Sequence, residues 1–391
     1  MENWSGIRAL HLVLTAKCNL QCAYCIERKK SQRRMDWNVL QSSLNFALGQ
    51  GQTDIELIFS GGEPLLEMPL IERAIGYVER HHPAWLQPRY SVLTNGTLLD
   101  DAAISFLAHH DAEIQISFDG LPESQNLRSP GSFSQLDRRL DRLRASRPDY
   151  YQRRLSTAAV VSPKTLPNLS RSIEYFLAKD VPKIQLVPDF TVTDSWRPKD
   201  IDRLDAAFAE VYELSRRHYE QTGGVPLRMF QTPPIEPPAK PHGRSLCGIM
   251  RGEKPAVDTD GQVFGCGAVV TSFLDLPAEP VNTGFEMVRL GHIADPELPG
   301  RLAHYRRITR PVGLFDHKER NWSSYGRCRD CKYLYNCSVC PVSIGYVPDN
   351  DDMNRVPDFV CAFNLVSLEY RERFWTRRRN AGSHRFEAKE A

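Results

Sequence analysis

Short apolar runs alternate with amphipathic stretches through the first half of the chain. The runs fall at residues 10–14, 55–59, 90–93, 114–118, 158–161 and 184–187. Between them, residues 37–48, 70–80, 101–109, 133–143 and 169–177 carry apolar side chains at helical spacing. Near-continuous apolar strands are buried on both faces, and the intervening helices are the crossovers that parallel strands need. The pattern predicts an α/β fold of six βα units, a partial (β/α)6 barrel rather than a closed eight-stranded one. A further helical stretch is expected over roughly residues 198–222.

The pattern then breaks. Residues 231–242 hold five prolines, a composition that cannot continue a helix and reads as a linker. Beyond it, Asp258-Thr259-Asp260-Gly261 is a hairpin-type turn between residues 255–257 and 262–264. The rest has few long apolar runs and is expected to be loop-rich. The domain reading is therefore a barrel over 1–230, a linker over 231–243, a second domain over 244–375 and a flexible basic tail over 376–391. Arg377-Arg378-Arg379 in that tail reads as a solvated end.

Composition narrows the function. Fifty Lys and Arg against 48 Asp and Glu leave a formal charge of +2, with no general field for a polyanion, so nucleic acid is not the expected partner. No stretch of about 18 apolar residues occurs and the first residues carry no export signal, so a membrane is not expected and the cytoplasm is. Ten cysteines change the picture most. In a long chain without an export signal they point to metal or cluster binding rather than disulfides. Three lie within residues 18–25 and seven between 247 and 361, with none in residues 26–246.

Cys18-Asn-Leu-Gln-Cys22-Ala-Tyr-Cys25 directly follows the first strand. A compact loop with three thiolates can wrap one iron–sulfur cubane and leave its fourth iron open. An open coordination position separates a catalytic metal site from a closed structural one. The bland alternative is a structural zinc loop short of one ligand. One βα unit later, Ser60-Gly61-Gly62-Glu63-Pro64 ends the second strand, Thr94-Asn95-Gly96 the third and Ser117-Phe118-Asp119-Gly120 the fourth.

Cys18, Cys22 and Cys25, with Tyr24 before the last, resemble the signature of the radical S-adenosylmethionine (SAM) superfamily. The resemblance implies a [4Fe–4S] cluster that chelates SAM and, when reduced, cleaves it to methionine and a 5′-deoxyadenosyl radical. It implies that Ser60, Gly61, Gly62 and Glu63 meet the SAM amino group, and that Asn95 and Ser117 lie near its ribose and methionine. Arg128 resembles an arginine that grips the SAM carboxylate; turn capping and surface solvation are the structural alternatives for Asn95, Ser117 and Arg128. Acids in turns, Asp119, Asp258 and Asp260 among them, read as structural, and no general base is assigned. His11 reads as a core or barrel-facing residue.

The later cysteines run Cys247-x13-Gly261-x4-Cys266, then Cys328-x2-Cys331-x5-Cys337-x2-Cys340, then Cys361. Seven thiols exceed one tetrahedral site; a zinc ribbon is the rival for Cys328–Cys340. With Leu290-Gly291-His292-Ile293 between the groups, the order resembles the SPASM extension of radical SAM enzymes, and the likeness runs from about residue 8 to 370. It implies two auxiliary [4Fe–4S] clusters, three in all. Cys247, Cys266 and Cys340 would hold the first, and Cys328, Cys331, Cys337 and Cys361 the second. One departure is that only Ser338 and Val339 separate the last two cysteines of the compact run, where the family commonly has three residues. The first auxiliary cluster is thus left with three identifiable ligands.

Enzymes of this kind mostly modify peptides or proteins, so a peptide or protein substrate is expected, with cross-linking or oxidation among the outcomes. A flavodoxin- or ferredoxin-type electron donor is implied. The first strand begins too early for a preceding leader-binding domain, so leader recognition falls to a separate protein or to the SPASM surface. The same chemistry on a small biosynthetic intermediate, sulfatase-maturase-like formylglycine formation, and a non-enzymatic iron–sulfur or zinc protein are the alternatives.

Overall fold

The computed structural model describes residues 7–27, 30–49, 51–190, 196–234, 252–270, 288–312, 322–337, 339–340, 343–344 and 355–387. Six strands, β1 (Ala9–Thr15), β2 (Asp54–Gly61), β3 (Gln87–Thr94), β4 (Glu113–Ser117), β5 (Leu155–Val161) and β6 (Ile184–Pro188), lie in chain order. Every neighbouring pair is parallel. The helices between them match the expected spans, Trp37–Leu48 and Asp101–His109 to the residue. Their starts are chemically marked: Asp36 accepts from the Val39 amide at 2.9 Å and Asp100 from the Ala103 amide at 2.8 Å.

Side-chain alternation gives the sheet two different faces. Leu10, Leu12, Ile55, Leu57, Phe59 and Val92 join a fully buried core with helix residues such as Leu40, Leu44, Ile71 and Ile75. The register puts His11, Glu56, Ser60, Ser91, Gln115, Ser117, Ser156 and Gln185 on the opposite, concave face. These eight are polar and six of them only half-buried, interspersed on that face with apolar Val13, Ile58, Leu93 and Ala158. The barrel therefore has a dry outside, sealed by helices, and a wettable inside.

The second region is less separate than its composition implies. β7 (Ala256–Val257) adds to the free edge of β1 in parallel, and β8 (Gln262–Phe264) and β9 (Arg289–His292) follow antiparallel. The expected hairpin thus extends the barrel sheet itself. The remainder also carries two helices that its composition did not mark, Leu298–Val312 and Asp358–Glu387. The second runs through the boundary drawn at 375, with residues 376–387 helical. Its docking is aromatic: Phe363 meets Phe208 with centroids 5.6 Å apart, Tyr370 meets Tyr212 at 5.6 Å and Phe374 stacks on Phe230 at 4.9 Å. Arg371 holds the start of the linker, donating to the Thr232 carbonyl at 2.9 Å and the Pro233 carbonyl at 2.7 Å. Residues 235–251, most of the expected linker, lie outside the described residues.

Candidate active site

The loop carrying Cys18, Cys22 and Cys25 leaves the C-terminal end of β1, where barrel enzymes build their chemistry. It is laid directly on the Ser60–Pro64 turn: the Gly62 amide donates to the Thr15 carbonyl at 2.8 Å and the Glu63 amide to the Lys17 carbonyl at 2.9 Å. Glycine is required by this approach. A Cβ on Gly61 would lie 2.3 Å from the Thr15 carbonyl oxygen, and one on Gly62 would lie 2.4 Å from that of Lys17. Gly62→Ala is accordingly expected to shift the backbone that carries Cys18. Loss of supporting structure around a metal ligand costs roughly 10–100-fold in affinity or activity, and iron retention after gel filtration is the check.

All three cysteines are free and half-buried. Burial, with the neighbouring Cys22, pushes the Cys18 thiol up and the Cys25 thiol to about 11. Lys30 acts the other way on both. Cys18 and Cys25 thus resist ionisation alone, and thiols of this kind shed their protons when a cation arrives.

Glu63 is fully buried. Its Oε1 accepts from Thr94 Oγ1 at 2.6 Å and the Leu65 amide at 3.1 Å, and its Oε2 from the Asn95 amide at 2.7 Å. Of roughly four lone-pair sites on a carboxylate, three are used by the protein. The expected ammonium acceptor is thus first of all a brace between the ends of β2 and β3. Burial raises its carboxyl, and the three bonds oppose that. The brace fixes Asn95, whose Nδ2 donates to Asn19 Oδ1 at 2.8 Å and lies 3.9 Å from Cys18 Sγ. Asn95 Oδ1 accepts from the Thr97 amide at 2.9 Å, and Asn19 Nδ2 donates to Thr97 Oγ1 at 2.8 Å. Asn19 and Thr97 escaped sequence reasoning, although Asn19 sits inside the cysteine motif.

A second network holds the other side of the loop. Arg128 Nε donates to Asp119 Oδ2 at 2.8 Å and its Nη2 to Asp119 Oδ1 at 2.9 Å, with both residues buried. The Tyr24 hydroxyl donates to the same Oδ2, and the Val160 amide donates to Oδ1 at 2.8 Å. The guanidinium also lies 5.2 Å from the Tyr24 ring centroid. The fork expected to grip a cofactor carboxylate therefore grips Asp119, because a buried cation needs a buried anion. Tyr24, just before Cys25, is tied to this pair. Asp119, set aside as a turn acid, is the hub.

Ser117 ends β4 half-buried on the concave face, and Ser60 ends β2 on the same face. His11 Nε2 is hydrogen-bonded to Ser60 Oγ. The other side of the ring packs on Gly267, where a Cβ would stand 2.5 Å from Nδ1. His11 therefore links the Ser60 turn to the residue after Cys266. Burial, and then the charge of Lys254, lowers its pKa to about 4. A free imidazole in the unfolded chain takes up a proton below pH 6.5, while the folded one resists until about 4. Its contribution is thus complete above pH 6.5 and is lost as the pH falls toward 4, by at most roughly 3 kcal/mol. His11→Gln is expected to flatten the decline of Tm between those pH values; a slope equal to wild type contradicts the assignment.

Among the C-terminal cysteines, Cys247 and the spacer Ser338 lie outside the described residues. Cys266 is buried, and its Sγ accepts from the Ala268 amide at 3.3 Å. Cys328, Cys331 and Cys361 come together: burial first, then Cys361 and Cys331, raise the Cys328 thiol to about 11. Cys361 likewise stands at about 11 through burial, opposed by a hydrogen bond from Ser323. Cys337 and Cys340 are half-buried in the turn that follows Cys331. Of the acids near the loop, Glu27 is buried with Oε1 unpartnered among the described residues; burial, opposed by Lys30 and aided by Asp258, raises its carboxyl to about 8. Among the described residues no helix is long and apolar enough to cross a membrane.

Residues 12–168 match the family described as the Radical SAM superfamily. An uncharacterised protein of Methanocaldococcus jannaschii is 30% identical over 203 residues, 51% of this chain and 66% of that protein. The cysteine-type anaerobic sulfatase-maturating enzyme of Clostridium perfringens (strain 13 / Type A) is 27% identical over 183 residues, 44% of this chain and 48% of that enzyme. The chain thus spans about half to two thirds of the length of these curated relatives. In fold it is similar to anSMEcpe with bound AdoMet and Cp18Cys peptide, with TM-score 0.71, 20% identity and coverage of 95% of this chain and 99% of that one. Streptococcus suis SuiB bound to its precursor peptide SuiA has TM-score 0.57 at 15% identity, with coverage of 91% and 76%.

Proposed function

The chain is an enzyme of the radical SAM superfamily, and from that premise we propose that it abstracts hydrogen from a peptide substrate, as a radical SAM/SPASM maturase. The observation that carries the peptide reading is the open, half-buried polar face of the barrel. Its Ser, Gln and Glu side chains pair with one another, Ser91 with Glu56 at 2.6 Å and Gln115 with Gln185 at 3.5 Å, and such groups can exchange those partners for the backbone amides of a peptide, which an apolar metabolite does not offer. The fold likeness to proteins whose structures hold the Cp18Cys and SuiA peptides supports the same reading.

Three half-buried thiols on one loop fit a cubane that keeps one iron open. When bound and reduced, that cluster supplies the electron that splits SAM into methionine and a 5′-deoxyadenosyl radical. The chain's own part is positioning and shelter. Gly61 and Gly62 let the cysteine loop sit on the Ser60 turn. Glu63, Thr94 and Asn95 hold the β3 end against Cys18, and Asp119 with Arg128 and Tyr24 holds the Cys22–Cys25 side. Glu63 keeps about one lone pair for the SAM ammonium; Arg128, already bonded to Asp119 and Cys22, would stand beside the carboxylate, with Ser60, Asn95 and Ser117 toward the remainder of that molecule.

In this reading residues 1–230 house the radical chemistry, 231–243 link, and 244–375 carry two auxiliary clusters. Cys247, Cys266 and Cys340 hold the first; Cys328, Cys331, Cys337 and Cys361 hold the second. They give the electron left on a substrate radical a route out, and an external flavodoxin- or ferredoxin-type protein supplies the priming electron. Leader recognition, where a leader exists, belongs to a separate protein or to the auxiliary-cluster surface. The sulfatase-maturase relative makes formylglycine formation the specific outcome to test first.

The test is incubation of the reconstituted, reduced enzyme with SAM and a peptide pool that includes sulfatase-type Cys and Ser peptides and products of short reading frames beside the gene. The expected result is peptide-stimulated 5′-deoxyadenosine with a peptide that has lost two hydrogen atoms, by cross-linking or by oxidation of Ser, or that for Cys oxidised to formylglycine has in addition exchanged sulfur for oxygen as water hydrolyses the thioaldehyde and releases sulfide. Stimulation by small biosynthetic intermediates, with every peptide inert, overturns the peptide reading while leaving the radical chemistry intact.

A further inference from the structure

Just before Cys328 a two-strand hairpin, β10 (Trp322–Ser323) and β11 (Gly326–Arg327), turns back toward the long C-terminal helix. Ser323 ends β10 and is 5% exposed. Its Oγ donates to Cys361 Sγ at 3.0 Å and accepts from the Tyr325 amide at 3.2 Å. A hydroxyl has one proton; with a lone pair committed to that amide, the proton is directed at the sulfur. The hairpin is clamped in place from outside. The Ser324 amide and hydroxyl both donate to Asp358, at 2.8 and 2.7 Å, and the Val356 amide donates to the Trp322 carbonyl at 2.8 Å. The Tyr325 hydroxyl accepts from Trp196 Nε1 at 3.1 Å and donates to the Pro198 carbonyl at 3.0 Å.

We propose that Ser323 is a positioning residue that sets the reduction potential of the cluster held by Cys328, Cys331, Cys337 and Cys361. The proposal rests on the auxiliary-cluster reading above. Hydrogen bonds to ligand sulfurs are among the factors that set iron–sulfur potentials. A donor stabilises the reduced cluster more than the oxidised one, because reduction adds negative charge that the sulfurs share. The buried Ser323 hydroxyl thus raises the potential of this cluster and eases its acceptance of an electron. Through Tyr325 the donor is pinned to Trp196 and Pro198, in the segment that follows β6, so the barrel and the cluster share one hydrogen-bonded chain.

The experiment is a redox titration of the full, reconstituted chain followed by electron paramagnetic resonance, with iron counted in each variant. Ser323→Ala is expected to move one midpoint to more negative potential and leave the others in place, at unchanged iron content. Ser323→Thr keeps the hydroxyl and is expected to keep the wild-type value. Ser324→Ala is the control for local packing, since it removes the hydroxyl bond to Asp358, keeping the amide bond, without touching sulfur. No shift in Ser323→Ala at full iron, or an equal shift in Ser324→Ala, overturns the proposal. About four irons in the wild type would instead remove the auxiliary clusters themselves and, with them, the premise.

Discussion

Replacing Cys18, Cys22 or Cys25 with Ala is expected to abolish 5′-deoxyadenosine formation. The loss should exceed the roughly 10–100-fold that removal of an outer-shell partner costs, because a ligand itself is gone. These thiols sit half-buried on a single loop, with Asn95 Nδ2 3.9 Å from Cys18 Sγ. The variants should still fold, since the loop is seated through backbone bonds to Gly62 and Glu63 rather than through the thiols. Iron should fall by about four per chain while the remaining clusters stay visible. Residual deoxyadenosine above the no-enzyme background in all three variants would contradict the assignment.

The second large effect is on stability. Asp119→Ala leaves the Arg128 guanidinium buried with its two principal acceptors removed, and breaking a buried pair in this way costs about 3–5 kcal/mol. It also releases the Val160 amide and the Tyr24 hydroxyl. Urea unfolding of the apo chain should show the loss as a lower midpoint at constant m-value. Arg128→Met, which is apolar and of similar length, strands Asp119 in turn and should cost a similar amount. The double variant should recover part of the loss, since an apolar replacement of both partners removes the unpaired charge. Additive losses in the double variant would show that the two residues act separately.

The barrel was legible because its signal is local. Residues 55–59 and 114–118 are short apolar runs, and residues 37–48 carry helical spacing behind an aspartate cap; neither reading needs a distant partner. The hairpin was legible from its Asp-Gly turn. What escaped was non-local or faintly marked. Two-residue β7 has no periodicity of its own, and only the fold shows that it extends β1. The long C-terminal helix did carry a signal: Phe359, Phe363, Val366, Tyr370 and Phe374 recur at helical spacing. The polar, basic residues between them and the arginine run beyond masked it.

The site divides in the same way. Motif spacing marked Cys18, Cys22, Cys25 and the Ser60–Glu63 turn as chemistry-bearing, but spacing does not tell a ligand from a brace. Glu63 spends three acceptor positions on Thr94, Leu65 and Asn95, and Arg128 spends its fork on Asp119. Tyr24 and Asp119 are 95 residues apart in sequence, and only the sheet register brings them together. The Ser323 bond to Cys361 was invisible for the same reason: one serine among many, marked only by its neighbour in space.

The most direct test is SAM cleavage by the anaerobically reconstituted, dithionite-reduced chain, with iron and sulfide counted in the same sample. About twelve irons per chain and 5′-deoxyadenosine that disappears in Cys18→Ala are the expected result. Intact clusters with no deoxyadenosine under any reducing condition would contradict radical chemistry at the Cys18–Cys25 loop.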